Sequence, residues 1–153
     1  MDYKRILTVQ DISCFGQCSL TVALPILSAC GAETVIIPSA VLSTHTGGFT
    51  DMHFEDLEPS MHKIADHFDR LGLRFDAIYT GFLGSEAQIE IVEDFIRTFG
   101  KDCTVMVDPV MGDNGKLYSI FNDEYVEAMR GLCGSADILI PNITEACFLA
   151  KVE

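Results

Sequence analysis

Polar and glycine-rich segments follow each of five short apolar runs in this 153-residue sequence. Carboxylates, amides, hydroxyls and an imidazole are concentrated in these segments, and such groups can hold a small polar ligand or a hard cation. In chain order the segments contain Asp11 and Ser13, then Thr44-His45-Thr46-Gly47-Gly48, then Gly81-Phe82-Leu83-Gly84, then Asp108-Pro109-Val110-Met111-Gly112-Asp113, and finally Asn142 with Glu145. Their recurrence after all five runs is more informative than any one of them.

Asp108 and Asp113 place two carboxylates on one short loop, with Gly112 and Gly115 close by. This arrangement suits Mg²⁺, which takes oxygen ligands and keeps several of its waters. A turn in which Asp108 bonds its own backbone before Pro109 explains the pattern equally well. Both interpretations stay open from the residues alone.

Asn142 and Glu145 stand three residues apart, which is also the spacing of a helix capping box. A carboxylate at a helix start can serve the backbone donors and still face a metal-bound phosphate.

The remaining segments have structural alternatives. Asp11 alone is better explained as a cap and His45 as a structural histidine. Gly47 and Gly48 could belong to an ordinary turn or could let the backbone close over a flat ligand. Phe82 between two glycines is expected to be at least half exposed, either stacking on an aromatic ligand or closing the end of the sheet.

Strands are predicted over residues 6–9, 34–37, 77–80, 103–107 and 137–140, with a loop from Asp11 to Gly16 and another over 39–54. Helices are predicted over 18–30 (with a kink at Pro25), 59–71, 85–99 and 123–133, and one more begins after Asn142. Ser85 and Gln88 have capping-box spacing. The alternation predicts an α/β fold with a mostly parallel sheet flanked by helices on both faces. Ligands in such sheets bind at the carboxyl ends of the strands, where the polar segments lie.

Composition excludes some functions. The formal net charge of −13 argues against nucleic-acid binding. No apolar stretch suits a membrane span and no secretory signal is evident, so a cytoplasmic location is expected.

The six cysteines are expected to be reduced, and a zinc site at Cys14 and Cys18 lacks a second ligand pair. There is neither a Gly-x₄-Gly-Lys-Ser/Thr loop nor a Gly-x-Gly-x-x-Gly turn after the first strand, which excludes a P-loop and weakens a dinucleotide-binding interpretation.

Four motifs together carry a family resemblance: Ser43-Thr44-His45-Thr46-Gly47-Gly48-Phe49, Thr80-Gly81-Phe82-Leu83-Gly84, Asp108-Pro109-Val110-Met111-Gly112-Asp113 and Pro141-Asn142-Ile143-Thr144-Glu145. In this order and spacing they resemble the pyridoxal (pyridoxine, pyridoxamine) kinases of the ribokinase superfamily. The resemblance extends from Arg5 to about Ala150. It implies a ribokinase-like fold that is truncated after the fifth strand, with residues 1–153 forming the N-terminal portion of a single domain.

The resemblance implies ATP-dependent phosphorylation of the 5′-hydroxyl of a vitamin B6 pyridine, usually by a homodimer. Asp11 would face the ring nitrogen or hydroxyl, Thr46 would bond ring substituents, and Phe82 would pack on the ring. The implied substrate set is Asp11, Ser13, His45, Thr46, Gly47 and Phe82. The implied ATP-phosphate set is Asp108, Asp113, Asn142 and Glu145, with Asp108 and Glu145 organising Mg²⁺. The family's catalytic Asp belongs to a C-terminal half that this sequence lacks, so the 153-residue chain is predicted to be inactive. It is also predicted to be poorly soluble or self-associating, because half a core and an open sheet edge would be left uncovered.

Two departures leave the substrate open. Many relatives have Ser where Asp11 stands and Tyr where Phe82 stands. A hydroxymethylpyrimidine kinase is therefore an alternative within the same class. A non-catalytic small-molecule binding module is a second alternative, and a redox or metal role for Cys14 and Cys18 is a third.

Overall fold

The strand segments form one six-stranded sheet in the computed structural model, which describes residues 3–152. The strands are β1 Arg5–Ser13, β2 Glu33–Leu42, β3 Phe54–Asp56, β4 Ala77–Thr80, β5 Thr104–Val107, β6 Gly112–Asp113, β7 Lys116–Leu117 and β8 Ile138–Leu139, and the helices are α1 Leu20–Ala29, α2 Glu58–Arg70, α3 Glu86–Phe99, α4 Asp123–Cys133 and α5 Ile143–Ala150. The order in the large sheet is β3-β2-β1-β4-β5-β8. Only β3 pairs antiparallel with its neighbour there, so the predicted mostly parallel sheet is confirmed.

Helices lie on both faces of the sheet. Leu7 of β1 and Ile78 of β4 are fully buried in one core with Met61 of α2, Val92 of α3 and Met129 of α4. Because side chains alternate along a strand, the neighbouring residues of β1 and β4 point to the opposite face. There α1 borders a cavity that is lined by Gln10, Tyr79 and the apolar helix residues Val22, Ala23, Ile26 and Leu27.

The first two strands are longer than predicted. The expected loop at Asp11 and Ser13 is wrong, because β1 continues through both residues and Cys14 N donates to Leu42 O at 2.8 Å. Strand β2 likewise runs past Pro38 to Leu42. A register shift follows Gln10 and Pro38, and β3 pairs only with the end of β2. Proline is tolerated there because β2 has no second neighbour at that point.

Helix ends follow the predicted caps only in part. The Ser85 side chain accepts a hydrogen bond from Gln88 N and begins α3. Gln88 does not complete the expected capping box, because its side chain instead accepts from Gly84 N and donates to Ser39 O and Asp56. This buried glutamine thus connects β2, β3 and the start of α3. Pro25 lies inside α1 as predicted.

A hairpin, β6–β7, interrupts the segment after β5 and was not predicted. Its two-residue turn is Asn114-Gly115, where both residues have positive φ, 51° and 75°. Asn-Gly is a typical sequence signal for such a turn and was available in the sequence. Gly112 is required on the opposite side, because an added Cβ would lie 2.5 Å from Lys116 O. Within residues 3–152, none of the helices has the length and apolar character needed to cross a membrane.

Candidate functional site

Asp11 and Ser13 are buried at the carboxyl end of β1, with 3% and 2% of their surfaces exposed. The Ser13 hydroxyl donates a hydrogen bond of 2.8 Å to Asp11 Oδ2. Cys18, in the turn before α1, donates in its turn to Ser13 Oγ at 3.3 Å. A chain of polar contacts therefore leads from the thiol to a carboxylate in the wall of a cavity of about 440 Å³.

The loop of residues 43–53, which connects β2 to β3, forms a second wall of this cavity. His45 Nδ1 accepts a 3.1 Å hydrogen bond from Gly47 N, and the imidazole lies edge-on to Phe49 with 5.0 Å between ring centroids. The ring also covers Gly16, where an added Cβ would lie only 2.0 Å from His45 Cδ2. His45 thus stabilises the loop conformation while lining the cavity together with Thr46 and Gly47.

Phe82 lines the same cavity from the end of β4, but the expectation that it is half exposed is wrong. Only 5% of its surface is exposed, because its ring packs edge-on against the ring of Phe54, with 6.5 Å between centroids, and against the ring of Phe121, with 5.9 Å between centroids. The Ser39 hydroxyl donates to its carbonyl oxygen at 2.8 Å and fixes the turn. The aromatic face is therefore held in place by β2, β3 and the segment before α4.

All six residues of the implied substrate set border this one cavity, although their roles remain predictions. Further lining residues were not assigned to the ligand from the sequence: Cys18, Ser19, Leu42, Val110, Asn114 and Tyr118. The last three belong to the segment that carries the hairpin, so an Asn-Gly turn prediction would have brought that segment to the site.

Asp108 borders the second cavity, between α1 and the sheet, which adjoins the first one along the shared lining residues Cys18, Ser19, Phe82 and Val110. Two causes raise the pKa of Asp108 to about 6 from the usual 3.8. Burial is the larger cause, and the negative charge of Glu145 is the second. Over residues 3–152 no hydrogen-bond donor lowers the pKa of its carboxylate. Asp108 is therefore a poorly compensated acidic group at the end of β5.

Glu145 is buried and completes the capping box of α5. Its side chain accepts hydrogen bonds from Met111 N at 3.3 Å and Asn142 N at 2.9 Å, while Asn142 Oδ1 accepts from Glu145 N at 2.9 Å. Asn142 also donates to Gly112 O, so the cap holds α5 against the hairpin. Burial raises the pKa of Glu145, and these backbone donors oppose that effect.

Asp113 is exposed at the end of β6, where its carboxylate accepts a hydrogen bond from Asn114 N at 2.7 Å. It lines the first cavity and also a shallower depression that is bounded by Pro141, Asn142 and Thr144. Asp113 therefore stands between the implied substrate set and the implied phosphate set instead of within the latter alone.

The acidic residues fit a hard cation in their chemistry. Asp108 has free oxygen ligands, and the mutual repulsion of two neighbouring carboxylates is relieved when a divalent ion binds. Glu145 already accepts backbone hydrogen bonds through both oxygens, which leaves Asp108 as the freer ligand. Over residues 3–152 no cluster of three or more His, Cys, Asp or Glu side chains is arranged as a complete metal site. Water and phosphate oxygens would have to supply the other ligands.

The fold is that of a pyridoxal kinase-like protein of the ribokinase superfamily. The family model described as phosphomethylpyrimidine kinase matches residues 9–153, and the chain belongs to that family.

Solved structures of similar proteins agree with the fold. A protein from Bacteroides thetaiotaomicron, provisionally named a phosphomethylpyrimidine kinase and crystallised with pyridoxal, is 45% identical with a TM-score of 0.94, over 99% of this chain and 53% of that one. The pyridoxal kinase of Lactobacillus plantarum is 35% identical with a TM-score of 0.90, and the match covers 99% of this chain and 54% of that one. The pyridoxal kinase of Leishmania donovani in complex with ADP and pyridoxamine is 26% identical with a TM-score of 0.87, over 98% and 54%. The chain spans about half the length of the curated relatives it matches.

Proposed function

We propose that the complete protein transfers a phosphoryl group from ATP to the 5′-hydroxyl of a vitamin B6 pyridine. The observation that carries this proposal is the pairing of a cavity for one small ring with an acidic cluster at adjacent strand ends. The first cavity is lined by Asp11, Thr46 and Phe82, which suit a polar aromatic ligand. Solved relatives crystallised with pyridoxal, or with ADP and pyridoxamine, support the same chemistry.

The residues of this chain divide the work. Phe82 offers a fixed aromatic surface to the ring, and Asp11 and Thr46 offer hydrogen-bonding groups that orient it. Asp108 and Glu145 would hold Mg²⁺, and a bound Mg²⁺ ion supplies charge neutralisation on the ATP phosphates. Asn142 fixes the position of Glu145 through the capping box. No residue of this chain is assigned as the acceptor of the hydroxyl proton.

The test is turnover by the complete gene product with Mg-ATP. Pyridoxal, pyridoxine, pyridoxamine and hydroxymethylpyrimidine are supplied separately, and phosphorylated product is measured by chromatography and mass spectrometry. We expect turnover of the B6 vitamers, and loss of at least a hundredfold in kcat for Asp108→Asn. Asp102→Asn is the matched control, because Asp102 is exposed in the turn before β5 and has φ 65°, which Asn tolerates. Absence of phosphorylated product from all four compounds would refute the proposal.

Phosphorylation of a hydroxymethylpyrimidine is the second candidate, and the description of the matching family favours it. A higher kcat/KM for the pyrimidine than for every vitamer would select this function. Ring binding without ATP turnover by the complete protein would instead indicate a non-catalytic binding module.

A further inference from the structure

Gln88 is fully buried in the first turn of α3, and its side-chain amide is hydrogen-bonded at both ends. The Oε1 atom accepts from Gly84 N at 2.8 Å, and the Nε2 atom donates to Ser39 O at 3.0 Å and to Asp56 Oδ1 at 2.7 Å. A rotation of this side chain would leave buried polar groups unpaired, which is costly. The amide therefore fixes the distance between the turn after β4 and the strand β3.

The strand β3 is short and lies at the edge of the sheet, and all three of its residues are exposed. Its Phe54 ring packs against the ring of Phe82 and passes over Gly84, where an added Cβ would lie 3.1 Å from Phe54 Cζ. A short exposed strand that buries little apolar surface opens locally at a low cost in free energy. Gln88 lies in the interior and therefore anchors this edge strand through Asp56.

The anchored strand directly follows the loop of residues 43–53, which forms the second wall of the first cavity. Two hydrogen bonds close the base of this loop: Ser43 N donates to His53 O at 3.0 Å, and His53 N donates to Ser43 Oγ at 2.9 Å. Thr46 lies within the closed segment and lines the cavity opposite Phe82. Because the base is closed, the position of β3 determines how far this wall lies from Phe82.

We propose that Gln88 is a positioning residue for substrate binding, because through Asp56 it holds the loop of residues 43–53 at the distance from Phe82 that fits one small ring. The inference rests on the proposed function and adds a residue that is not among the described lining residues of either cavity. When the contact is broken, the loop occupies the binding position for a smaller fraction of the time, and the apparent dissociation constant rises by the reciprocal of that fraction. The chemical step is unchanged once the ring is bound.

The test measures kcat and KM for pyridoxal and for Mg-ATP on the complete gene product. Asp56→Ala removes the acceptor, and KM for pyridoxal should rise about threefold to tenfold. The KM for ATP and kcat should change by less than about twofold, as for a loss of ground-state binding alone. Asp56→Asn keeps an acceptor oxygen and should retain the wild-type KM. Glu55→Ala is the matched control, because it removes an exposed carboxylate from the same strand and should leave KM unchanged.

A double-mutant cycle separates this contact from a second role of Asp56, whose Oδ1 atom also accepts from Glu58 N at the start of α2. Gln88→Met breaks the contact from the other side and should raise KM for pyridoxal at least as much as Asp56→Ala. In the Gln88→Met background, Asp56→Ala should then have no further effect on this KM. A full additional rise would assign the effect to α2 and overturn the inference.

The other outcomes also decide. An unchanged KM for pyridoxal in Asp56→Ala, with turnover intact, overturns the role of Gln88 but leaves the proposed function standing. The same holds for an equal rise in Glu55→Ala, or for a rise that Asp56→Asn shares. Absence of turnover by the wild type overturns the proposed function and this inference together. If Gln88→Met does not melt cooperatively, Gln88→Glu replaces it, because it keeps the acceptor for Gly84 N and loses the donor to Asp56. If neither variant folds, the Asp56 variants decide.

Discussion

Replacement of Asp108 by Asn should stabilise the unliganded 153-residue chain at neutral pH. Burial and the charge of Glu145 raise the pKa of Asp108 to about 6 from 3.8, which means that the folded state disfavours its ionised form. Below pH 3.8 the group is protonated in both the folded and unfolded states, and the destabilisation is absent. It grows between pH 3.8 and about 6 and is complete above pH 6.

The size of the effect follows from the same pKa values. The difference between 3.8 and about 6 corresponds to about 3 kcal/mol at 1.36 kcal/mol per pKa unit. Asp108 is only partly buried, so solvent screening reduces this, and we expect the Asn variant to gain about 1 to 2 kcal/mol in the free energy of unfolding at pH 8. For a chain of this length the gain amounts to about 2 to 8 °C in Tm.

The assay is thermal unfolding followed by circular dichroism at low protein concentration, at pH 8 and at pH 4. Asp102→Asn is the matched control and should change Tm by less than about 1 °C at either pH, because exposed carboxylates contribute little. A gain for Asp108→Asn that is as large at pH 4 as at pH 8 would contradict the electrostatic cause. A loss of stability at pH 8 would show that the carboxylate makes favourable contacts in the folded state.

Three other substitutions test local features. Gly16→Ala should cost about 2 kcal/mol or more in the free energy of unfolding, because φ is +105° and the new Cβ would lie 2.0 Å from the His45 ring. The control Gly31→Ala, with φ +87° and no atom within 4 Å of the new Cβ, should cost about 1 kcal/mol. Equal losses of the two variants in denaturant melts would exclude the steric clash with His45 as the cause. Tyr125→Phe should cost about 1 to 2 kcal/mol in the free energy of unfolding in the same melts, because the Tyr125 hydroxyl donates at 2.8 Å to the carbonyl of the buried Leu83 in the segment after β4. An unchanged midpoint would contradict this. The isolated chain should lack kinase turnover and should self-associate on gel filtration. Ile138→Lys on the edge strand β8 should restore monomers, because a charged side chain discourages pairing between exposed strand edges. Dimers that persist in this variant would place the contact between the chains away from β8.

The sequence predicted the elements whose side chains have a clear period. Helices α2, α3 and α4 alternate buried and exposed positions at helical spacing, and α4 has the predicted bounds 123–133. The ends of β1 and β2 were missed because Asp11, Ser13 and Pro38 are poor strand formers, and pairing between the two strands overrides that preference. Propensity describes a residue and its neighbours in sequence, whereas a strand also depends on a partner that is distant in sequence.

The candidate site was predictable as a set of strand ends but not as two adjoining cavities. Topology brings Asp11, His45 and Phe82 to one edge of the sheet, as the parallel arrangement requires. The position of Asp108 beside the second cavity depends on the packing of α1 against the sheet, which the sequence pattern alone does not give. The expectation that Phe82 is half exposed was wrong for a related reason, since Phe82 is buried by Phe54 and Phe121, which belong to other segments of the chain.

Glu145 shows that a structural and a functional interpretation of one motif need not compete. Its capping hydrogen bonds hold α5 against Gly112, and they also keep a second carboxylate close enough to Asp108 to raise the pKa of that group. A cap built from a neutral side chain would begin the helix equally well but would raise the pKa of Asp108 less. The acidic cap therefore maintains a charge repulsion that the proposed Mg²⁺ ion would relieve, so the loss of stability in the unliganded chain would favour binding of that ion at this edge of the sheet.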